Sequence, residues 1–386
     1  MSYLQSLFSA LLVFLCLVLN HSGLSNVLIT ALLFMLFLVN LKEKGFAGKG
    51  IPTYILLASF LLSGIIGMMT EKGSNNISRY LGLLLLVLAF PMKFKWDKRL
   101  FYLVLFSAGA YLVVLQLGQA FGIGLIENYI NHFYPIEFNQ WGEEATLINN
   151  LDEYTQEASH IRYGGIFYNP NIMGQMIVFW YIVMRNFSIE TQRLTIAVFA
   201  ITLISIWFSG SRTAFVVFAI FNSLYYWPVI KRYSFIFLFG VVTFFSILLL
   251  GFNSSYDFRI FNITQGITHK EGSGKIKYEI FKTWLEEQTR PANFDWIKFF
   301  FGNLSWDVEF DNDPGYVLNF FGFAGALFLL FFLYDIFKNS TQLGKLNFVL
   351  LLIGIGATVI MNFRFSILLF VVLSVGYKRA VVLTNS

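Results

Sequence analysis

Residues 315–336 read Gly-Tyr-Val-Leu-Asn-Phe-Phe-Gly-Phe-Ala-Gly-Ala-Leu-Phe-Leu-Leu-Phe-Phe-Leu-Tyr-Asp-Ile, with Asp335 as the one charge. As a helix this stretch covers about 33 Å at 1.5 Å per residue, enough for a hydrocarbon layer of about 30 Å. It predicts a membrane-spanning helix, and the rest of the chain repeats the pattern. Of 386 residues, 57% are apolar, 19% aromatic and only 13% charged, and there are 46 Phe. Soluble domains carry roughly twice that charge, about a quarter of their residues. So many aromatic side chains exceed what one soluble core of this size buries.

Apolar runs of similar character predict spans at 4–20, 24–41, 51–69, 79–92, 99–117, 171–186, 193–208, 212–228, 233–251, 345–361 and 364–377, in addition to 315–336. The expected fold is an all-α polytopic membrane protein of about 12 transmembrane helices. The first residues lack a basic n-region, and no small-residue cleavage site follows, so the N-terminus reads as an uncleaved first helix. The lone cysteine, Cys16, lies in that helix, which precludes an intramolecular disulfide.

Placing the N-terminus inside assigns 15 basic and 4 acidic residues to the cytoplasmic connections, among them Lys93, Lys95, Arg185, Lys231, Arg232 and Lys338. The opposite side keeps 12 basic and 18 acidic residues, so the overall charge of +5 is strongly one-sided. Short basic loops stay in the cytoplasm, so both termini are expected inside. The basic pI then reflects topology and not a nucleic-acid surface.

Two long hydrophilic stretches fall outside and divide the chain. Membrane helices occupy 1–117, an acidic extracytoplasmic loop 118–170, further membrane helices 171–251, a second extracytoplasmic loop 252–314, and the last helices 315–386. The first loop carries Glu127, Glu137, Glu143, Glu144, Asp152, Glu153 and Glu157 with no Lys or Arg before Arg162. In the second, Ile276, Ile280, Phe281, Trp284 and Leu285 share one helical face and Lys275, Glu279, Lys282 and Glu286 the other. This predicts an amphipathic helix at about 274–288, lying at the membrane surface.

Four arginines, Arg162, Arg212, Arg259 and Arg364, stand in outer loops or at outer ends of spans. Charge near hydrocarbon is costly and, where retained, commonly faces an internal cavity. Guanidinium is a planar fork that grips phosphate bidentately, so several of them around one outward hollow suit a pyrophosphate. Each arginine also has a plainer reading, with its stem along apolar surface and its head among the outer headgroups. Arg212, in the tight turn of a helical hairpin, fits that plainer reading least.

Three short stretches surround these charges. Arg162-Tyr-Gly-Gly-Ile-Phe-Tyr-Asn-Pro-Asn171 runs from the acidic loop into a span; Asn169 suits a helix cap and Pro170 a first helical position. Ser209-Gly-Ser-Arg-Thr213 joins two spans, and Ser211 suits the cap of the second. Asp311-Asn-Asp-Pro-Gly-Tyr316 enters the span quoted above, with Asp311 or Asp313 at the positive end of a helix dipole. Such a carboxylate either caps the helix or deprotonates or orients an acceptor hydroxyl. The four histidines, His21, His132, His160 and His269, are scattered without ligand spacing, so neither metal nor cofactor is expected.

In this order, the Arg162…Gly164…Asn169-Pro170-Asn171 element, the Ser209-Gly210-Ser211-Arg212 turn and the Asp311-Asn312…Gly322…Gly325 element resemble the O-antigen polymerase (Wzy-type) and O-antigen ligase superfamily, over roughly residues 160–330. The resemblance implies a membrane glycosyltransferase of the C type that works on glycans carried by undecaprenyl pyrophosphate, at the outer face of the bacterial cytoplasmic (inner) membrane. Ligases of the superfamily carry a His-Asn pair where this chain has Asp311-Asn312, a departure that favours polymerase. The outer-loop cation of the family is matched by Lys275 or by Arg259.

The expected site therefore has Arg162, Arg212, Asp311 and Asp313 in catalytic roles. Arg259, Lys275, Asn169, Asn171, Arg364 and Tyr316 are expected to bind pyrophosphate or glycan. The expected partners are lipid-linked oligosaccharide, membrane lipids and a chain-length regulator in the membrane, with no nucleic acid. Two rival activities remain: a ligase or protein O-oligosaccharyltransferase of the same superfamily, and a lipid-linked oligosaccharide flippase or transporter.

Overall fold

A computed structural model describes residues 2–19, 23–44, 51–68, 77–90, 98–134, 163–167, 170–187, 192–226, 273–290, 294–302, 313–341, 344–345 and 363–375. Among the described residues every regular element is an α-helix: α1 Ser2–Val18, α2 Gly23–Lys44, α3 Ile51–Met68, α4 Ile77–Ala89, α5 Lys98–Ala120, α6 Gly124–Phe133, α7 Pro170–Phe187, α8 Gln192–Ser209, α9 Arg212–Tyr225, α10 Ser273–Thr289, α11 Trp296–Phe301, α12 Asp313–Lys338 and α13 Phe363–Val375. The expected span at 233–251 lies outside the described residues, as does 345–361 beyond Lys345. The other expected spans each fall on a helix whose ends agree within three residues. Two helices are long and apolar enough to cross a membrane, Tyr102–Ala120 within α5 and Gly315–Lys338 within α12. Shorter apolar helices include Leu7–Val18, Thr53–Gly67, Ile172–Arg185 and Thr195–Ser209.

The chain forms two compact units, one from residues 1–108, 182–191 and 267–386, the other from 109–181 and 192–266. In the first, α12 packs along α3, where Phe60 and Phe321 stack with centroids 4.0 Å apart. Phe90, after α4, meets Phe332 and Phe370 edge-on, each at 5.7 Å. Such offset and edge-on pairs add about 0.5–1.5 kcal/mol each beyond the burial of their area. The other face of α12 presents Phe323, Leu327, Leu330, Phe331 and Tyr334 outward. Their i, i+4, i+7, i+8, i+11 spacing makes one continuous apolar stripe, which water penalises and lipid does not.

α12 is broken at Gly322, whose φ of 68° and ψ of −176° are not helical. The end of α11 fills the break. α10, the expected amphipathic helix, turns Trp284 of its apolar face to the protein. Trp284 is 7% exposed and donates from Nε1 to Asn319 Oδ1 of α12 at 3.3 Å.

The second unit holds the C-terminal half of α5, α6, the first two-thirds of α7, α8 and α9. Residues from 118 were expected as loop, yet Gly124–Phe133 is helical. Gly122, at φ 63°, ends α5 and turns the chain. Ile126 then packs over Gly118, where a side chain would have no room. α6 is too short to register as an apolar run of membrane length. Tyr111 on α5 bonds the hydroxyls of Tyr129 and Tyr134 at 3.0 and 2.5 Å, fastening α6 and its end to α5.

Candidate functional site

The expected site residues divide between the two units. Arg162, Asn169, Arg259 and Asp311 lie outside the described residues. Arg212 is the first residue of α9 and Asn171 the second of α7. Asp313 opens α12, Lys275 lies in the first turn of α10 and Arg364 in that of α13. The side chains of these five lie outside the described set. Tyr316 is described and buried, 7% exposed, in the first turn of α12. Among the described residues, no three His, Cys, Asp or Glu side chains gather in a way that would hold a metal ion.

In the second unit two of the singled-out stretches meet, the one that follows Arg162 and the Ser209–Thr213 turn. A helix leaves its last four carbonyls without partners of its own, and the end of α8 shows how they are met. Ile206 O accepts from Gly210 N at 3.1 Å and from Ser209 Oγ at 2.8 Å. Trp207 O also accepts from Gly210 N, at 3.1 Å. Phe208 O accepts from Tyr163 N at 3.0 Å, so the residue that follows Arg162 caps α8. Gly210 takes φ 58°, the left-handed stop that glycine adopts without strain.

The next helix starts at once. Ser211, fully buried, accepts from Ala214 N with its side chain at 3.4 Å and caps α9, as its sequence position predicted. Arg212 is thus the first helical residue, on a terminus already positive from unpaired N–H groups.

α7 closes the third side. Pro170 occupies its first position, where the missing N–H costs nothing. One turn on, Gly174 faces the α8–α9 turn so closely that a Cβ there would stand 2.6 Å from Ser211 Cβ and 2.8 Å from Ser209 Oγ. The 163–167 loop, the start of α7 and the Ser209–Arg212 turn therefore form one junction.

Sequence reasoning passed over two residues that hold the loop in this junction. Gln116, fully buried on α5, donates from Nε2 to Tyr163 O at 2.9 Å. Gln119, one turn later, accepts from Gly165 N with Oε1 at 2.9 Å. Two amides three residues apart inside an otherwise apolar span are the signal that marks them, since i and i+3 share a helix face and a polar group in such a span needs a partner. No family model matches the chain, and no curated protein matches it.

Proposed function

We propose that this protein is a membrane-embedded glycosyltransferase that polymerises oligosaccharide repeat units carried on undecaprenyl pyrophosphate. In this reading about twelve helices span the bacterial cytoplasmic membrane with both termini inside, and the reaction takes place at the outer face. The outward apolar stripe of α12 and the one-sided distribution of basic loops support the membrane setting. The junction of the Tyr163 loop with the Ser209–Arg212 turn carries the enzymatic reading. It ties the covalent neighbour of Arg162 to Phe208, four residues before Arg212, at an anion-attracting helix start.

The growing chain on its lipid pyrophosphate is the donor, and the terminal hydroxyl of a second lipid-linked repeat unit is the acceptor. The acceptor oxygen bonds to the anomeric carbon as the bond from that carbon to the pyrophosphate oxygen breaks. The electron pair leaves with the pyrophosphate, and the hydroxyl gives up its proton to Asp311 or Asp313 or to water. Arg162 and Arg212 offset the charge that builds on the leaving group, with Arg259, Lys275 and Arg364 as further cations. Asp311 or Asp313 orients the acceptor hydroxyl, and Asn169, Asn171 and Tyr316 contact glycan. Loss of one arginine raises the barrier by about 2–4 kcal/mol, or 10²–10³ in rate, the scale of a lost oxyanion donor.

Purified protein given lipid-linked repeat units alone should produce a ladder of polymer and release undecaprenyl pyrophosphate. Arg162→Ala and Arg212→Ala, at equal protein levels, should each lose the long products. A full ladder from both variants overturns the reading. A ladder that appears only when lipid A core or a protein acceptor is added reassigns the enzyme to ligase or protein O-oligosaccharyltransferase.

The break in α12 favours one other activity, transport of lipid-linked oligosaccharide, because transporters place substrate sites on interrupted helices. Against it, the backbone of α11 occupies the break at Gly322, and irregular backbone within a membrane is also tolerated where protein buries it. Glycan translocation into vesicles without release of undecaprenyl pyrophosphate would favour transport.

A further inference from the structure

We infer that Gln116 is a positioning residue, whose buried amide sets the Tyr163–Phe167 loop, which follows Arg162 in the chain, against the end of α8; this rests on the polymerase reading above. An amide buried away from water is costly unless its groups are bonded. Gln116 meets the requirement in full. Its Nε2 donates to Tyr163 O at 2.9 Å and to Ser205 O at 3.1 Å, and its Oε1 accepts from Ser205 Oγ at 2.5 Å. Two carbonyl acceptors on one side leave a single orientation for the amide, with the NH₂ group toward them.

Bracing α5 against α8 would require only the two bonds to Ser205. The third bond of Gln116 goes instead to irregular backbone. Tyr163 is held at both its backbone polar groups, N–H by Phe208 O and C=O by Gln116. Gly165, at φ 60°, is held by Gln119, and a Cβ there would meet Gln116 Cβ at 3.4 Å. The loop is thus fixed at Tyr163 and Gly165, the first and third residues after Arg162. A rigid support beneath a binding group matters because a displacement of about 1 Å can cost roughly 10²-fold in rate.

The test uses the full-length protein in membranes, with Gln116→Met, which keeps volume and removes the amide, and the milder Gln119→Met. Two readouts separate the bracket from the chemistry. The first is trypsin cleavage of the Arg162–Tyr163 bond, which should be slow in the parent protein. It should quicken about tenfold in Gln116→Met and less in Gln119→Met, because local opening exposes the bond. The second is polymerisation, which should fall roughly 10- to 100-fold in Gln116→Met. The double variant Gln116→Met/Arg162→Ala should be no slower than Arg162→Ala alone, since a support has no effect once the supported group is gone.

Losses that multiply in the double variant overturn the proposal, because they mark general damage. Faster cleavage with normal polymerisation also overturns it, and so does unchanged cleavage in both glutamine variants. Should Gln116→Met fail to accumulate, Gln119→Met decides on the same criteria. Normal polymerisation by Arg162→Ala instead defeats the enzymatic reading itself, a result independent of the cleavage assay.

Discussion

Gly302 and Gly322 hold their backbones in direct apposition, each with positive φ, 72° and 68°. A Cβ on Gly302 would stand 2.6 Å from Gly322 N, and one on Gly322 would stand 2.5 Å from Phe300 O. Both residues have ψ near 180°, a region of backbone space essentially confined to glycine. The last turn of α11 thereby seats in the break of α12. Phe299 stacks on Phe323 just beyond it, with rings 6.1 Å apart and 8° from parallel.

Gly302→Ala and Gly322→Ala should each destabilise the protein by about 2–6 kcal/mol, from about 1–3 for the backbone and about 1–3 for overpacking. Thermal unfolding of detergent-solubilised protein measures this. The double variant should lose less than the sum, because the two residues share one contact. A shift within the noise for either single change would mean that the apposition is not made.

Ser211→Ala should cost about 0.5–2 kcal/mol of stability through the lost cap on Ala214 N. Its effect on polymer length should be much smaller than that of Arg212→Ala, one residue later. Equal losses of polymer at equal folded protein would place the functional weight on the turn itself and not on the guanidinium.

Trp284→Phe should leave α10 seated, at a cost of about 1 kcal/mol for the bond to Asn319. Trp284→Ala should cost about 3–5 kcal/mol, as for other large buried aromatic side chains. Limited proteolysis across 273–290 distinguishes them, with only the alanine variant becoming sensitive. Equal protection of both would mean that Trp284 does not anchor the helix.

The proposed orientation predicts opposite labelling of two exposed positions. Cys16 is the only native cysteine and is buried, so it gives little background. Asn131→Cys on α6 should react with a membrane-impermeant maleimide added to intact cells. Lys338→Cys at the end of α12 should react only after the membrane is opened. The reverse pattern would invert the topology.

The helices were legible because a long apolar run needs no partner to be recognised, and α12 announces itself in its own sequence. α6 and α11 were not, being shorter than a span and made by local packing, as Ile126 over Gly118 shows. At the candidate site the Ser209-Gly-Ser-Arg turn was readable, since stop and cap residues act within a few positions. Gln116 was not tied to Tyr163 by any sequence rule, because the bond joins residues 47 apart. Gly302 was overlooked for the same reason: its conformation makes sense only against Gly322.

Tyr163 is synthesised before Phe208, so the donor that finishes α8 leaves the ribosome ahead of the helix it finishes. In the proposed membrane setting, the carbonyl at the tip of the α8–α9 hairpin would have a hydrogen-bond donor waiting as the hairpin entered the bilayer, and need not carry water inward. Deleting 163–167 would therefore remove more than a connection: it would leave another helix with an open end, and the hairpin would insert poorly even though every residue of it is intact.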